Sequence, residues 1–402
     1  MQQLHRIPFD HVVQRIEVHP GGRYALCWTW PDNQEAVLAV ARLDDGEIVL
    51  RVREGITDAA FAGQNDLLLT SHLDGRVLVW NVAQGEQVRS IEAHPGGALS
   101  IAVAATDNMF FSGGEDGTTR LWDIESGLDL NMLELQAGPV RCVAITQNAH
   151  WGIAACENGT IAVCDLADDS EIRHIASYPG PALCASLSAD ERLLFADARN
   201  GESVVVVADP PPEDLALLAA RITKGLASNP KMGVRRTEPS HQRPFFAFDP
   251  HGRRAASAHG DGTIRLYGIE DGLPPEQIFH GHHGPVHAIT FSPDGERVLT
   301  AGTNGIRVSN VASGQAIAGA ACAHLRCLAT TSQGNLVVGG GGAFSPGVGK
   351  RPRPGLVDCA LHVWKLATSD PSEDLSADLS AELSEARSTE LSEERSPEKS
   401  AE

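Results

Sequence analysis

The sequence predicts an all-β fold of tandem four-stranded antiparallel units followed by an acidic tail. Three observations predict it: a turn signal recurring every 42 residues, strand-like apolar runs between those turns, and a change of composition at Ser369. Asp74-Gly75, Asp116-Gly117, Asn158-Gly159 and Asn200-Gly201 each follow the last by 42 residues, and one period earlier stands Asp32-Asn33. Asp261-Gly262 comes 61 residues after Asn200, Asn304-Gly305 a further 43, and Asp358 a further 54. The two long intervals mark insertions of about 19 and 12 residues, and with them eight periods fill the chain to about residue 368.

Each period has one internal grammar. An apolar run, a turn, a second run, the Asp/Asn-Gly pair and a third run rich in Val, Ile and Leu follow in order, which are strand and hairpin signals. The Gly-containing pairs supply the positive φ that tight hairpins require. In the third unit the runs are Leu99 to Val103, Met109 to Ser112 and Thr118 to Trp122, with a fourth, polar strand near Leu130 to Leu135. Four antiparallel strands in 40-odd residues make one blade of a β-propeller. Eight blades are favoured; seven is the alternative, if the divergent first unit, Val12 to Val52, packs as an extension. The eighth unit ends at Leu361-His-Val-Trp-Lys-Leu366 with no following strand, and Leu4 to Phe9 precedes the first unit without a partner.

Two stretches then carry a resemblance. Ser112-Gly-Gly-Glu-Asp116-Gly-Thr-Thr-Arg-Leu-Trp122-Asp123, and Gly281 to Gly295 with its Gly-His opening and Ser-Pro-Asp-Gly close, resemble the signature of the WD-repeat (WD40) family, over roughly residues 8 to 366. The resemblance implies a propeller closed by its N-terminal strand, which would cover an open sheet edge. It also implies a buried hydrogen-bonded tetrad of His94, Ser112, Asp116 and Trp122. Other copies are incomplete. The second has Thr70, Asp74 and Trp80 without a His; the sixth has Ser257, Asp261 and Tyr267; the seventh has His282 and Thr300 without a Trp; the eighth has Asp358 and Trp364. The fourth and fifth, with Ala154, Asn158, Cys164 and Ala196, Asn200, Val206, have none of the His, Ser or Trp. Such copies are expected to hold by packing alone.

The features that break the period stand apart. In the insertion at about 209–243, Asp214 starts a predicted helix with Leu215, Leu218, Ile222 and Leu226 on one stripe, ended by Gly225. It either caps an edge lacking its fourth strand or docks a partner. The basic run Lys231, Arg235, Arg236 and Arg243 has no interleaved aromatics and reads as a solvated loop. The second insertion, at about 339–357, contains Gly-Val-Gly-Lys350, but Phe344 stands where a phosphate loop needs Gly and Arg351 where it needs Ser or Thr. No cofactor is expected. In the resembling family this loop lies on the face used for partners, so Phe344, Lys350, Arg351 and Arg353 are the candidate partner contacts.

From Ser369 the tail, 369–402, carries eleven acidic and three basic side chains, with Ser every four residues from Ser372 to Ser400 and leucines at 375, 379, 383 and 391. A period of four drifts about 40° per step against the helical 3.6, so those leucines form no seam. A disordered spacer is expected. Formal net charge is -20, against nucleic-acid affinity, which needs a surplus of Lys and Arg. No run of 18 apolar residues occurs and the first residues lack a secretory pattern, so no membrane association and a cytoplasmic location are expected. The eight cysteines, at 27, 142, 156, 164, 184, 322, 327 and 359, lie singly in apolar runs without metal spacing and read as buried hydrophobes. Seven of the 16 histidines fall between His241 and His287, yet no acidic or Cys partner stands at ligand spacing. No catalytic set is visible. The expectation is thus a non-catalytic scaffold or adaptor, a monomeric propeller of residues 1–368 holding protein partners in a complex. A hydrolase or small-ligand binder at the channel mouth, and an RNA-associated assembly factor, are the alternatives.

Overall fold

A computed structural model describes residues 1–29, 36–53, 55–63, 66–104, 108–146, 149–166, 172–177, 182–187, 193–198, 203–207, 246–251, 253–258, 262–268, 277–280, 282, 284–302, 304–322, 324–345, 355–357 and 359–366. The predicted helix after Asp214, the basic run 231–243, Asp261, Asp358 and the tail 369–402 lie outside the described residues.

The described residues form eight antiparallel sheets and one small hairpin. The first sheet is Val13–Val18, Tyr24–Thr29, Val37–Arg42 and Ile48–Val52; the second is Ile56–Phe61, Leu67–His72, Arg76–Asn81 and Glu86–Glu92. The third is Ala98–Val103, Met109–Gly114, Thr118–Asp123 and Asp129–Glu134, and the fourth runs from Val140–Ile145 to Ile172–Ser177 in the same order. The fifth has three described strands, the last being Ser203–Val207. The sixth and seventh are again four-stranded, from Phe246–Phe248 to Gln277–His280 and from Val286–Phe291 to Ala316–Ala320. The first unit is therefore a sheet in its own right and not an extension of a neighbour.

The eighth sheet joins the two ends of the repeat region. Leu325–Thr330, Leu336–Gly341 and Ala360–Lys365 follow in order, and Gln2–Pro8 pairs antiparallel with the last of them, from Gln2 opposite Lys365 to Pro8 opposite Ala360. Gln3 adds a side-chain link, its Nε2 lying 3.3 Å from His362 Nδ1. The second insertion is shorter than the sequence suggested. Gly339, Gly340 and Gly341 belong to the sheet, and Ala343–Ser345 pairs with Gly355–Val357 as a separate hairpin, Phe344 opposite Leu356.

Apolar packing runs between sheets rather than within one. Leu68, Ala59 and Phe61 of the second sheet pack with Leu26, Trp28 and Leu38 of the first. Val13, Cys27 and Ala39 of the first pack with Cys327, Val338 and Leu361 of the eighth. Equivalent cores join the second to the third, the third to the fourth, the sixth to the seventh and the seventh to the eighth. Such two-faced burial explains why the middle strands, Tyr24–Thr29 for example, are buried at every position instead of alternating.

The 42-residue turn signal has a physical cause in this packing. Gly75 has φ +93°, and a Cβ there would stand 1.9 Å from the carbonyl oxygen of His94, at the entry to the next sheet. Gly262 stands in the same relation to the carbonyl of His282, with a Cβ distance of 2.2 Å. The glycine thus serves both its own hairpin and the neighbouring sheet's entry loop, whose Ala93 and His94 amides donate to Gly75 O at 3.0 Å.

Candidate functional site

Four residues before the first strand of the third sheet, the His94 side chain enters the protein interior. Its Nε2 lies 2.8 Å from Ser112 Oγ, which also accepts the Trp122 Nε1–H at 2.9 Å. Its Nδ1 faces Asp116 Oδ1 at 3.1 Å and Thr118 Oγ1 at 3.2 Å, and Thr118 donates to Asp116 through its hydroxyl and amide. The directions are mutually consistent for one neutral tautomer: Nδ1–H donates to the carboxylate, Nε2 accepts the Ser112 hydroxyl, and Ser112 accepts from Trp122. Asp116, in the turn, and Trp122, in the third strand, are thereby tied through one ring.

Burial pulls the His94 pKa below its ordinary value, and the Asp116 carboxylate only partly opposes this. His287 is lowered for the same first reason, with Arg326, His282 and His324 adding repulsion. A histidine with a depressed folded pKa binds its proton more readily when unfolded. Its contribution is therefore complete above the unfolded value of about 6.5 and is lost as pH falls from there toward the folded value. Thermal unfolding followed between pH 7.5 and 5.5 should show a falling midpoint, with a shallower fall in a His94→Gln variant. A pH-independent midpoint over that window would contradict this assignment.

Two incomplete copies retain side-chain networks, so packing alone does not hold them. In the seventh sheet His282 lies 3.0 Å from Thr300 Oγ1 and 2.7 Å from Asn304 Oδ1, so the turn asparagine takes the place of the aspartate. In the second sheet Trp80 Nε1 donates to Thr70 Oγ1 at 2.9 Å, and Thr70 Oγ1 lies 2.9 Å from Nε2 of His72. The histidine there comes from the strand itself, two residues beyond Thr70. The reason is volume. The positions two beyond Ser112 and Thr300 are Gly114 and Gly302, where a Cβ would stand 2.3 Å and 2.8 Å from Nδ1 of His94 and His282. At the position equivalent to His94 stands buried Val52, the last residue of the first sheet's outer strand, which leaves room for a ring on the second sheet's own strand. The His94 and Gly114 of the third sheet thus become Val52 and His72 in the second, a change visible in the sequence. In the sixth sheet the Ser257 hydroxyl lies 3.4 Å from the Tyr267 hydroxyl, and in the eighth His362 stacks on Trp364 at 5.3 Å.

A second network lies along the first strands of the first three sheets. Each has a bulge after its first residue, and the residues that follow the bulges, Arg15, Asp58 and Ser100, meet. Arg15 Nη1 donates to Asp58 Oδ1 at 2.9 Å, and Asp58 Oδ2 accepts from Ser100 Oγ at 3.0 Å and from Ile101 N at 3.3 Å. Ser100 Oγ in turn accepts from Val143 N at 3.2 Å, so four successive sheets are linked. Burial pulls the Arg15 pKa down, but Asp58 and Glu17 outweigh it and the net shift is upward. The guanidinium also lies 5.5 Å above the Trp28 ring.

Of the candidate partner contacts, Phe344 is placed in the hairpin strand Ala343–Ser345, while Lys350, Arg351 and Arg353 lie outside the described residues. Of the seven cysteines with described side chains, Cys27, Cys156, Cys164, Cys327 and Cys359 are buried, and Cys142 and Cys322 are half-buried rather than buried. Burial raises Cys164 and Cys327 to about 12 and Cys156 to about 11, which keeps those thiols protonated. Among the described residues no group of three His, Cys, Asp or Glu could hold a metal ion, and no helix is long and apolar enough to cross a membrane.

Four segments, 48–81, 85–123, 237–268 and 273–308, match the WD domain, G-beta repeat. The first begins on the outer strand of the first sheet and the second one residue before that of the second sheet, and each ends on the third strand of the next sheet, so the sequence repeat straddles two sheets. No curated protein matches the chain. Among solved structures the chain is similar to the computationally designed Ika8 protein, at 17% identity and a TM-score of 0.60, covering 91% of this chain and 100% of that one. At that identity the likeness concerns the fold alone.

Proposed function

The chain is a WD-repeat protein, and we propose that it is a non-catalytic scaffold in which eight blades, closed by the N-terminal strand, hold protein partners within a complex in the cytoplasm. One observation carries this reading. The polar side chains with unusual surroundings, His94, His282, Arg15 and Asp58, are occupied in joining strands and sheets, whereas departures from the repeat gather in a hairpin and the flanking segments. A rigid repeated frame with irregular attachments suits binding better than turnover. Eight sheets and the pairing of Gln2–Pro8 with Ala360–Lys365 support closure by the N-terminus.

Affinity purification of the full chain with quantitative mass spectrometry tests the reading. Defined partners should co-purify, and a variant combining Phe344→Ala with Lys350→Glu, Arg351→Glu and Arg353→Glu should lose at least one of them severalfold. Recovery of no enriched partner by the full chain would overturn it.

A further inference from the structure

The outer strand of a blade exposes one row of backbone N–H and C=O groups, and proteins commonly guard such an edge with charge. Equivalent positions on four outer strands can be compared through the same bulged register. The first sheet presents Glu47, Val49 and Arg51; the second presents Glu86, Val88 and Ser90; the seventh presents Gln315, Ile317 and Gly319. The middle position, at the bulge, is apolar in each of these, half-buried at Val49 and exposed at Val88 and Ile317, so an apolar residue there belongs to the repeat. The third sheet departs from this at both flanking positions. It presents Leu128, Leu130 and Met132, which are 63%, 48% and 49% exposed.

No described strand pairs with the free side of Asp129–Glu134, where the sheet ends. Its inward residues are committed: Leu133 and Leu135 are buried in the core shared with the fourth sheet, and Asn131 Nδ2 donates to Leu166 O at 3.2 Å. The outward apolar row is bordered by exposed Glu125, Asp129 and Glu134. Arg120 pairs with Asp129 at 3.0 Å and Arg89 donates to the carbonyls of Glu125 and Ser126, so two guanidiniums stand against these three carboxylates. The border is therefore net acidic.

Building on the scaffold reading, we propose that this edge receives an extended segment of a partner protein as a fifth strand, one that alternates apolar residues with Lys or Arg. The backbone of 129–134 supplies main-chain hydrogen bonds, Leu128, Leu130 and Met132 take the apolar side chains, and Glu125 and Glu134 take the cations. Charge complementarity selects this occupant over the chain's own acidic tail and over a second copy, which would bring like charges together.

The test uses the full chain and a fluorescein-labelled heptapeptide of alternating Lys and Val. Fluorescence anisotropy should show saturable binding that weakens at least tenfold in a Leu128→Ser/Met132→Ser variant, and hydrogen exchange should show new amide protection in 129–134. Both side chains are exposed, so the variant should keep the parent unfolding midpoint. A peptide with Glu in place of Lys, or with a central Pro, should bind at least tenfold more weakly. No peptide binding, equal binding of the Glu peptide, or self-association abolished by the same substitutions would overturn the proposal. If partners co-purify with the full chain while the edge shows no protection, the edge assignment alone fails; if the peptide binds and no partner co-purifies, the scaffold reading fails.

Discussion

Asp58→Ala is expected to lower the unfolding free energy by about 3 kcal/mol, the lower end of what removing one partner of a buried ion pair costs. The Arg15 and Asp58 side chains are only 24% and 16% exposed, so water replaces little of what is lost. Arg15 would keep Glu17 at 3.6 Å as its remaining carboxylate, and the Ser100 hydroxyl and Ile101 amide would lose their acceptor. The loss falls where three sheets meet and where Ser100 passes the link on to the fourth. Urea unfolding should show a lower midpoint. Asp58→Asn keeps an acceptor and should cost less. Adding Arg15→Met to Asp58→Ala should recover part of the loss, because the stranded cation is removed with its partner. A midpoint within about 0.5 kcal/mol of the parent for Asp58→Ala would show that the ion pair is incidental to the joining of the sheets.

Turn pairs placed the sheets, because one glycine serves two structures: Gly75 turns its own hairpin and leaves room for the entry loop of the next sheet. Likewise His94, Ser112, Asp116 and Trp122 stand at spacings that the family signature reproduces. The Arg15, Asp58 and Ser100 network was not legible, since its members lie 43 and 42 residues apart and look like unrelated polar residues in apolar strands. Only the shared bulge makes them equivalent. The fourth strand of the third unit was expected to be polar, and its outward row is instead Leu128, Leu130 and Met132. Apolar residues on an edge carry the same periodic signal as core residues, so pattern alone does not separate them.

The second sheet offers the strongest test of what a complete repeat requires. Its ring, on His72, occupies the region that a loop histidine occupies in the third sheet, and each arrangement forbids the other. Gly114→His alone should cost more than about 3 kcal/mol, because a Cβ at 114 already stands 2.3 Å from His94 Nδ1 and 2.5 Å from Asp116 Oδ1. His94→Val alone should cost about 1 to 3 kcal/mol, since the buried Ser112 hydroxyl and the Asp116 carboxylate lose their common partner. The double variant rebuilds the arrangement of the second sheet, with a valine in the loop and a histidine donating or accepting beside the serine. It should return to within about 1 kcal/mol of the parent, so the two substitutions couple with a large favourable sign. Asp116 must then find another partner, as Asp74 does with Arg76, whose side-chain hydrogen bond holds that carboxyl below its usual range. Thr118 occupies the position of Arg76, so adding Thr118→Arg should complete the transplant. A double variant as unstable as the sum of the single ones would show that the glycine and the loop histidine are independent features.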